Sequence, residues 1–218
     1  MTLKTTLGAV ALIAAAALGL WVTAPQGSLT PFSFAAAQEA PAAIDLKDMT
    51  LGQEDAPVTL IEYASFTCPH CATFHATVFK NLKKDYIDTG KVKFVYREVF
   101  FDRYGLWAGM IARCGGEMRF FGISDILYDT QSEWSASDDP NVVVENLKKI
   151  GRTAGMEDAQ MDACLKDGPM AQALVDRFEA QMKEFDVKGT PTIIINGTTH
   201  ANMTYAELKV ILDAELAK

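Results

Sequence analysis

Two cysteines, in the tetrapeptide Cys68-Pro69-His70-Cys71, stand where a strand-like run meets a helix-like run. This junction restricts the fold more than any other stretch of the chain. The run before it, Val58-Thr59-Leu60-Ile61-Glu62-Tyr63, is apolar and β-branched and reads as a buried strand. The run after it, Ala72 to Lys84, has apolar residues at Phe74, Val78 and Leu82, the spacing of one helix face. Pro69 falls in the first helical turn, where its missing N–H would be unpaired anyway. Cys68 is thereby expected at a helix N-terminus, with free backbone N–H groups and the positive dipole end facing its sulfur.

That position has a chemical consequence. The thiolate is the reactive form of cysteine, and a helix N-terminus stabilises it. The dipole alone supplies at most ~2 kcal/mol. An ordinary thiol titrates near ~8.5, so a drop of several units, at ~1.4 kcal/mol each, needs further donors. Backbone N–H groups and the ring of His70 are the nearest sources. A stabilised thiolate makes the reduced dithiol stable and its disulfide a strong electron acceptor. A structural disulfide is the plainer alternative, but so small a ring stabilises little. A metal site could recruit His75, as Cys-x2-Cys-x3-His, but no fourth ligand is evident. His75 otherwise reads as a helix-surface or groove-lining residue.

The chain has 218 residues, a net charge of −8 and 49% apolar residues, enough for one sizeable core or a core with an insertion. The negative charge argues against nucleic acid as a partner. No glycine-rich phosphate loop and no internal repeat are present. At the N-terminus, Lys4 precedes an apolar run from Leu7 to Val22, and Ala35-Ala36-Ala37 offers a small-residue cleavage site. Residues 1–37 therefore read as an export signal. The stretch between the apolar run and the cleavage site is long and holds Pro25 and Pro31, which leaves an uncleaved anchor open. The run is nevertheless shorter than the ~20 residues of a spanning helix. Either way the globular part is expected outside the cytoplasm, where disulfides persist.

Residues 38–43 read as a flexible lead-in, and Ile44 to Leu51 as an edge strand. Strands follow at Pro57–Tyr63 and Val92–Val99, separated by the helix Pro69–Tyr86. From about Arg103 to Phe185 the periodicity is helical, with segments at 105–117, 119–128, 141–151, 156–166 and 170–185. Gly115-Gly116 is expected to break the first of these. Then come Gly189-Thr190-Pro191, a strand Thr192–Ile195, an Asn196-Gly197 hairpin turn, a short return strand and a last helix from Tyr205. The triplet Asn196-Gly197-Thr198 also matches a glycosylation acceptor and is read here as a turn. The order describes an α/β fold, a small mixed sheet with a helical insertion. Met156, Met161, Met170 and Met182 read as core or gap fillers.

Phe66-Thr67-Cys68-Pro69-His70-Cys71, Glu62 six residues ahead of Cys68, the helical block and Thr190-Pro191 together resemble the DsbA family of periplasmic thiol–disulfide oxidoreductases. The resemblance covers residues 44–218. It implies a thioredoxin fold with an inserted helical domain, divided as 38–102, 103–185 and 186–218. It implies roles at the matching positions. Cys68 is the exposed nucleophile, Cys71 the shielded resolving thiol and His70 the residue that tunes Cys68. Pro191 is cis, and its loop presents the backbone of Thr190 to an extended client. Glu62 is a buried acid exchanging protons with Cys71, with Lys93 as a possible partner. Phe66 is a candidate client contact, and Phe74, Phe100, Phe101 and Met110 could line an apolar groove beside it. A second pair, Cys114 and Cys164, resembles that of an alphaproteobacterial subset. A structural disulfide is expected there, with two buried free thiols as the alternative and a regulatory bond as a lesser one.

The resemblance further implies an exported dithiol oxidase that needs no cofactor. It acts as a monomer on reduced, unfolded exported proteins and is re-oxidised by a quinone-linked membrane protein. Thr190 before Pro191 looks more like the isomerase branch, so an isomerase or reductase is the first rival. Those isomerases carry an N-terminal dimerisation domain, which residues 38–50 are too few to build. A thiol-based metal chaperone is the second rival.

Overall fold

The computed structural model describes residues 44–218; the expected export signal and most of the lead-in lie outside them. Five strands form one mixed sheet in the order β1-β3-β2-β4-β5. They are β1 (Met49–Leu51), β2 (Val58–Ala64), β3 (Val92–Glu98), β4 (Thr192–Ile195) and β5 (Thr198–His200). β2 and β3 run parallel, and every other neighbouring pair is antiparallel. The edge strand is shorter than expected, since only Met49–Leu51 pairs with β3. Asn196 and Gly197 both have positive φ, at 45° and 83°, the geometry of a two-residue turn whose twist matches the flanking strands.

Alternation along β2 divides its side chains between two layers. Val58, Leu60 and Ala64 join the main core, whereas Tyr63 joins a smaller cluster with Val99, Val187 and Ile194. Glu62 shares the parity of the main-core residues, so an acid stands on the apolar face of the central strand.

A helical run over residues 69–87 follows β2. It comprises α1 (Pro69–Phe74), a π-helical stretch at His75–Phe79, α2 (Lys80–Leu82) and a second π stretch at Lys83–Ile87. The wider turns depart from the regular helix expected. They bury His75, Phe79, Tyr86 and Ile87 alongside Phe74, Val78 and Leu82.

Between β3 and β4 lie six helices: α3 (Arg103–Cys114), α4 (Glu117–Asp129), α5 (Gln131–Trp134), α6 (Pro140–Thr153), α7 (Asp158–Leu165) and α8 (Gly168–Glu184). α5 is the one that sequence periodicity misses, because four residues are too few to show a period. Gly116, at φ 76°, separates α3 from α4. Ile111, Phe120, Leu127, Trp134, Leu147 and Met161 of this block belong to the same continuous core as the sheet. Met156 and Met161 are buried, whereas Met170 and Met182 are half-buried. The chain closes with α9 (Tyr205–Leu216), started by a reciprocal Thr204–Glu207 capping box.

Candidate active site

Past the C-terminal end of β2, Ser65 to Thr67 turn the chain into α1, with the Cys68 N–H donating to the Ser65 carbonyl at 3.1 Å. Cys68 is the N-cap residue of α1, its backbone extended at φ −84° and ψ 117°, and no side chain caps this helix end. Its carbonyl accepts from the N–H groups of Cys71 (3.1 Å) and Ala72 (3.2 Å). Both thiols are free; Cys68 is half-buried and Cys71 is fully buried beneath it.

Antiparallel pairing sets the opposite wall. Tyr63 of β2 is opposite Thr192 of β4, so the segment entering β4 returns to the end of the sheet where β2 delivers Cys68. The Cys68 thiol lies 3.5 Å from the Thr190 carbonyl, and the Thr190–Pro191 bond is cis. The Thr190 hydroxyl is buried. Along one flank of the helical run, Thr73, Phe74, Thr77, Val78, Met203 and Tyr205 line a groove of about 510 Å³.

Beneath the thiols the ionisable groups are dry. Glu62 is 3% exposed, and burial first, then the charge of Cys68, push its carboxyl from 4.5 up to about 8. Burial likewise pushes the Cys71 thiol far up, and the Glu62 charge adds to this. Polar atoms of Thr190 and Ser65 pull it down without reversing the effect. Tyr96, directly opposite Glu62 in the β2–β3 ladder, shares a hydrogen bond of 2.6 Å with the Tyr128 hydroxyl. Both phenols are buried and held far above the ordinary range, chiefly by desolvation.

Several expected placements need correction. Phe66 is 1% exposed and stacks on Tyr96 and Tyr128 at 5.6 and 5.2 Å, so its ring supports the site from inside and cannot touch a client. His75 is buried, stacked between Phe79 and Tyr128, with Nε2 2.8 Å from Asp125 Oδ1. It is not a surface residue, and among the described residues no His, Cys, Asp or Glu cluster is arranged to hold a metal. Lys93 pairs with Glu54 rather than Glu62. It lies three residues from Tyr96 along β3, which turns it to the other face of the sheet. Met110 is a core residue, Phe100 packs edge-on against Phe178 and Phe101 is exposed, whereas Phe74, though buried, lines the groove as expected. His70 is exposed on the first turn of α1.

Other participants are not legible in the sequence. Thr67 donates to Asp102 Oδ2 at 2.7 Å, and Asp102 also caps α3 by accepting from the Gly105 N–H. Gln131, buried at the start of α5, donates to the carbonyls of Phe66 (2.8 Å) and Cys68 (3.0 Å). A lone glutamine between helices carries no sequence signal for either contact. Away from these groups, Cys114 and Cys164 join the end of α3 to α7, with S–S 2.03 Å and Cα–Cα 6.0 Å.

Residues 45–214 match the thioredoxin family model. A Bacillus anthracis protein named as disulfide bond formation protein D is 31% identical over 178 residues, covering 78% of each chain. This chain belongs to the DsbA family of thioredoxin-fold oxidoreductases. A Rickettsia bellii protein named as a protein-disulfide oxidoreductase is 35% identical over 171 residues. The match covers 78% of this chain but 65% of that protein, so the chain spans less than two thirds of its rickettsial relative's length. The crystal structure of Wolbachia pipientis alpha-DsbA1 shares the fold, with TM-score 0.73 and 24% identity over 81% of this chain and 94% of that one. The family resemblance drawn from the motifs, and the thioredoxin fold it implied, are therefore found.

Proposed function

We propose that this protein is an exported dithiol oxidase that introduces disulfides into other exported proteins through Cys68 and Cys71. One observation carries the reading. The accessible sulfur stands at an uncapped helix N-terminus, 3.5 Å from a carbonyl of the loop entering β4, while its partner is buried beside a raised carboxyl. A client thiolate attacks Cys68 Sγ in the oxidised centre. The Cys68–Cys71 bond breaks, a client–Cys68 bond forms, and Cys71 leaves with the electron pair. Buried, it cannot remain an anion, and it takes the proton that Glu62 holds near neutral pH. A second client thiolate then attacks the client sulfur of the mixed disulfide, and Cys68 leaves as a thiolate at the positive dipole end of α1. Two electrons pass to the centre and one disulfide forms in the client.

In this reading the Thr190 backbone pairs with the extended client, and the exposed His70 tunes Cys68 from the first turn. The groove beside Phe74 and Val78 takes an apolar segment of a client or of a quinone-linked membrane protein that re-oxidises the dithiol. The protein works as a monomer outside the cytoplasm, and Cys114–Cys164 is structural. Among the described residues no helix is long and apolar enough to cross a membrane. Thr190 favours a second reading, an isomerase. Reduced and scrambled ribonuclease, offered in parallel, separate the two. Fast oxidation of the reduced form with slow reshuffling supports the oxidase; the reverse ordering overturns it.

A further inference from the structure

Gln131 is the one described side chain of the helical block that donates hydrogen bonds to the backbone of the turn bearing Cys68. Its carboxamide nitrogen has two N–H groups. One reaches the carbonyl of Phe66 at 2.8 Å and the other the carbonyl of Cys68 at 3.0 Å. The amide is buried, so neither carbonyl has ready access to water in its place. The Cys68 carbonyl already accepts from the first turn of α1, through Cys71 and Ala72. Gln131 adds a third donor to that oxygen, and through its bond to the Phe66 carbonyl it clamps the residues on both sides of Thr67.

The clamp has an electrical as well as a mechanical side. Cys68 has no side-chain cap, so its extended backbone is what sets its sulfur at the start of α1. The two carbonyl dipoles lie on the same short turn as a sulfur that must become an anion. A donor on each draws that negative charge away. Gln131 itself is fixed by α5, where its carbonyl accepts from Ser135 N–H at 3.2 Å, and by Trp134, which is 2% exposed in the core. The lever therefore runs from the insertion's core to the reactive sulfur.

We infer that Gln131 is a positioning residue of the redox centre, through which the helical insertion sets how strongly the Cys68–Cys71 pair accepts electrons. The inference rests on the proposed dithiol reading and adds to it the part that tunes it. In the Gln131→Met variant, shape is retained and both donors are lost. The reduced form should lose stabilisation relative to the disulfide, and the equilibrium constant with glutathione should move toward the disulfide by about three- to tenfold, the scale of one or two hydrogen bonds. Gln131→Glu, which brings a carboxylate to the two carbonyls, should move it further in the same direction. Ser132→Ala, exposed on the next position, should leave it unchanged.

Three measurements make the test decisive. The glutathione equilibrium of the unsubstituted protein comes first; no exchange there sinks the dithiol reading itself. With exchange intact, a variant constant within twofold of the original, beside a lowered melting temperature, reduces Gln131 to a structural residue and overturns the inference. Should Gln131→Met not fold, side-chain amide hydrogen exchange of Gln131 in the unsubstituted protein decides. Two strongly protected protons that change on reduction of the centre support the clamp, and freely exchanging ones overturn it.

Discussion

The two cysteine pairs of this molecule have one chemistry and opposite settings. Cys68 and Cys71 are a single helical turn apart, at a helix start, over a buried acid and under a loop from another part of the chain. Cys114 and Cys164 are 50 positions apart and join two helices of the insertion. Closing the first ring removes less freedom from an unfolded chain, about 2 kcal/mol by loop length, so its bond can open and close at a smaller cost to the fold. Closing the second removes much more. The surroundings follow the same division. The first pair lies among groups whose protonation is displaced by burial. The second is bordered by ordinary helix-to-helix contacts, such as Gln160 donating to the Cys114 carbonyl at 2.9 Å.

The largest effect that would break this comparison is on activity. Cys68→Ser should bring client oxidation down to the uncatalysed rate, while Cys71→Ser should trap a mixed disulfide visible by non-reducing electrophoresis. Paired Cys114→Ala and Cys164→Ala substitutions should leave oxidation within a few-fold of the original. If they abolish it instead, the second pair is not a staple. Their stability cost should be about 4 kcal/mol from the loop length, read by urea unfolding.

Glu62 sharpens the contrast through pH. Its folded pKa, about 8, is raised above the ordinary 4.5, so the folded state keeps a proton that the unfolded chain gives up. The contribution is intact below pH 4.5 and is lost as pH rises through 8. Between those limits the original protein should lose roughly 3–5 kcal/mol relative to Glu62→Gln, at ~1.4 kcal/mol per unit. Urea midpoints of both proteins at pH 5 and pH 8 give the difference; parallel curves would mean the carboxyl is solvated. The smallest effect is at the phenols. Tyr128→Phe leaves the Tyr96 hydroxyl without its buried partner and should cost about 1 kcal/mol in thermal unfolding.

Local signals account for the elements that are legible in the chain itself. β-branched residues mark β2, Pro69 marks the first turn of α1, and Asn196-Gly197 marks the β4–β5 turn, because each acts through its own backbone geometry. Glu62 is expected to be buried only through the family resemblance, and the structure places it on the apolar parity of the central strand. His75 and Phe66 were misjudged because their exposure depends on Tyr128, far along the chain, stacking against both. Strand adjacency alone makes Lys93 a possible partner of Glu62, and the ladder register sends it to the opposite face.

The family motif, the strand–helix junction and the helical character of the block were determined by the sequence alone. They depend on spacing within a few residues, where propensity and chain stereochemistry act. Which groups surround the sulfur was decided only in three dimensions. The Thr190 carbonyl arrives through the antiparallel pairing of β4 with β2, Gln131 arrives from α5, and the dry environment of Glu62 and Cys71 needs the helical block to seal the sheet. Desolvation and hydrogen bonding across such separations arise from packing, and no local pattern in the chain encodes them.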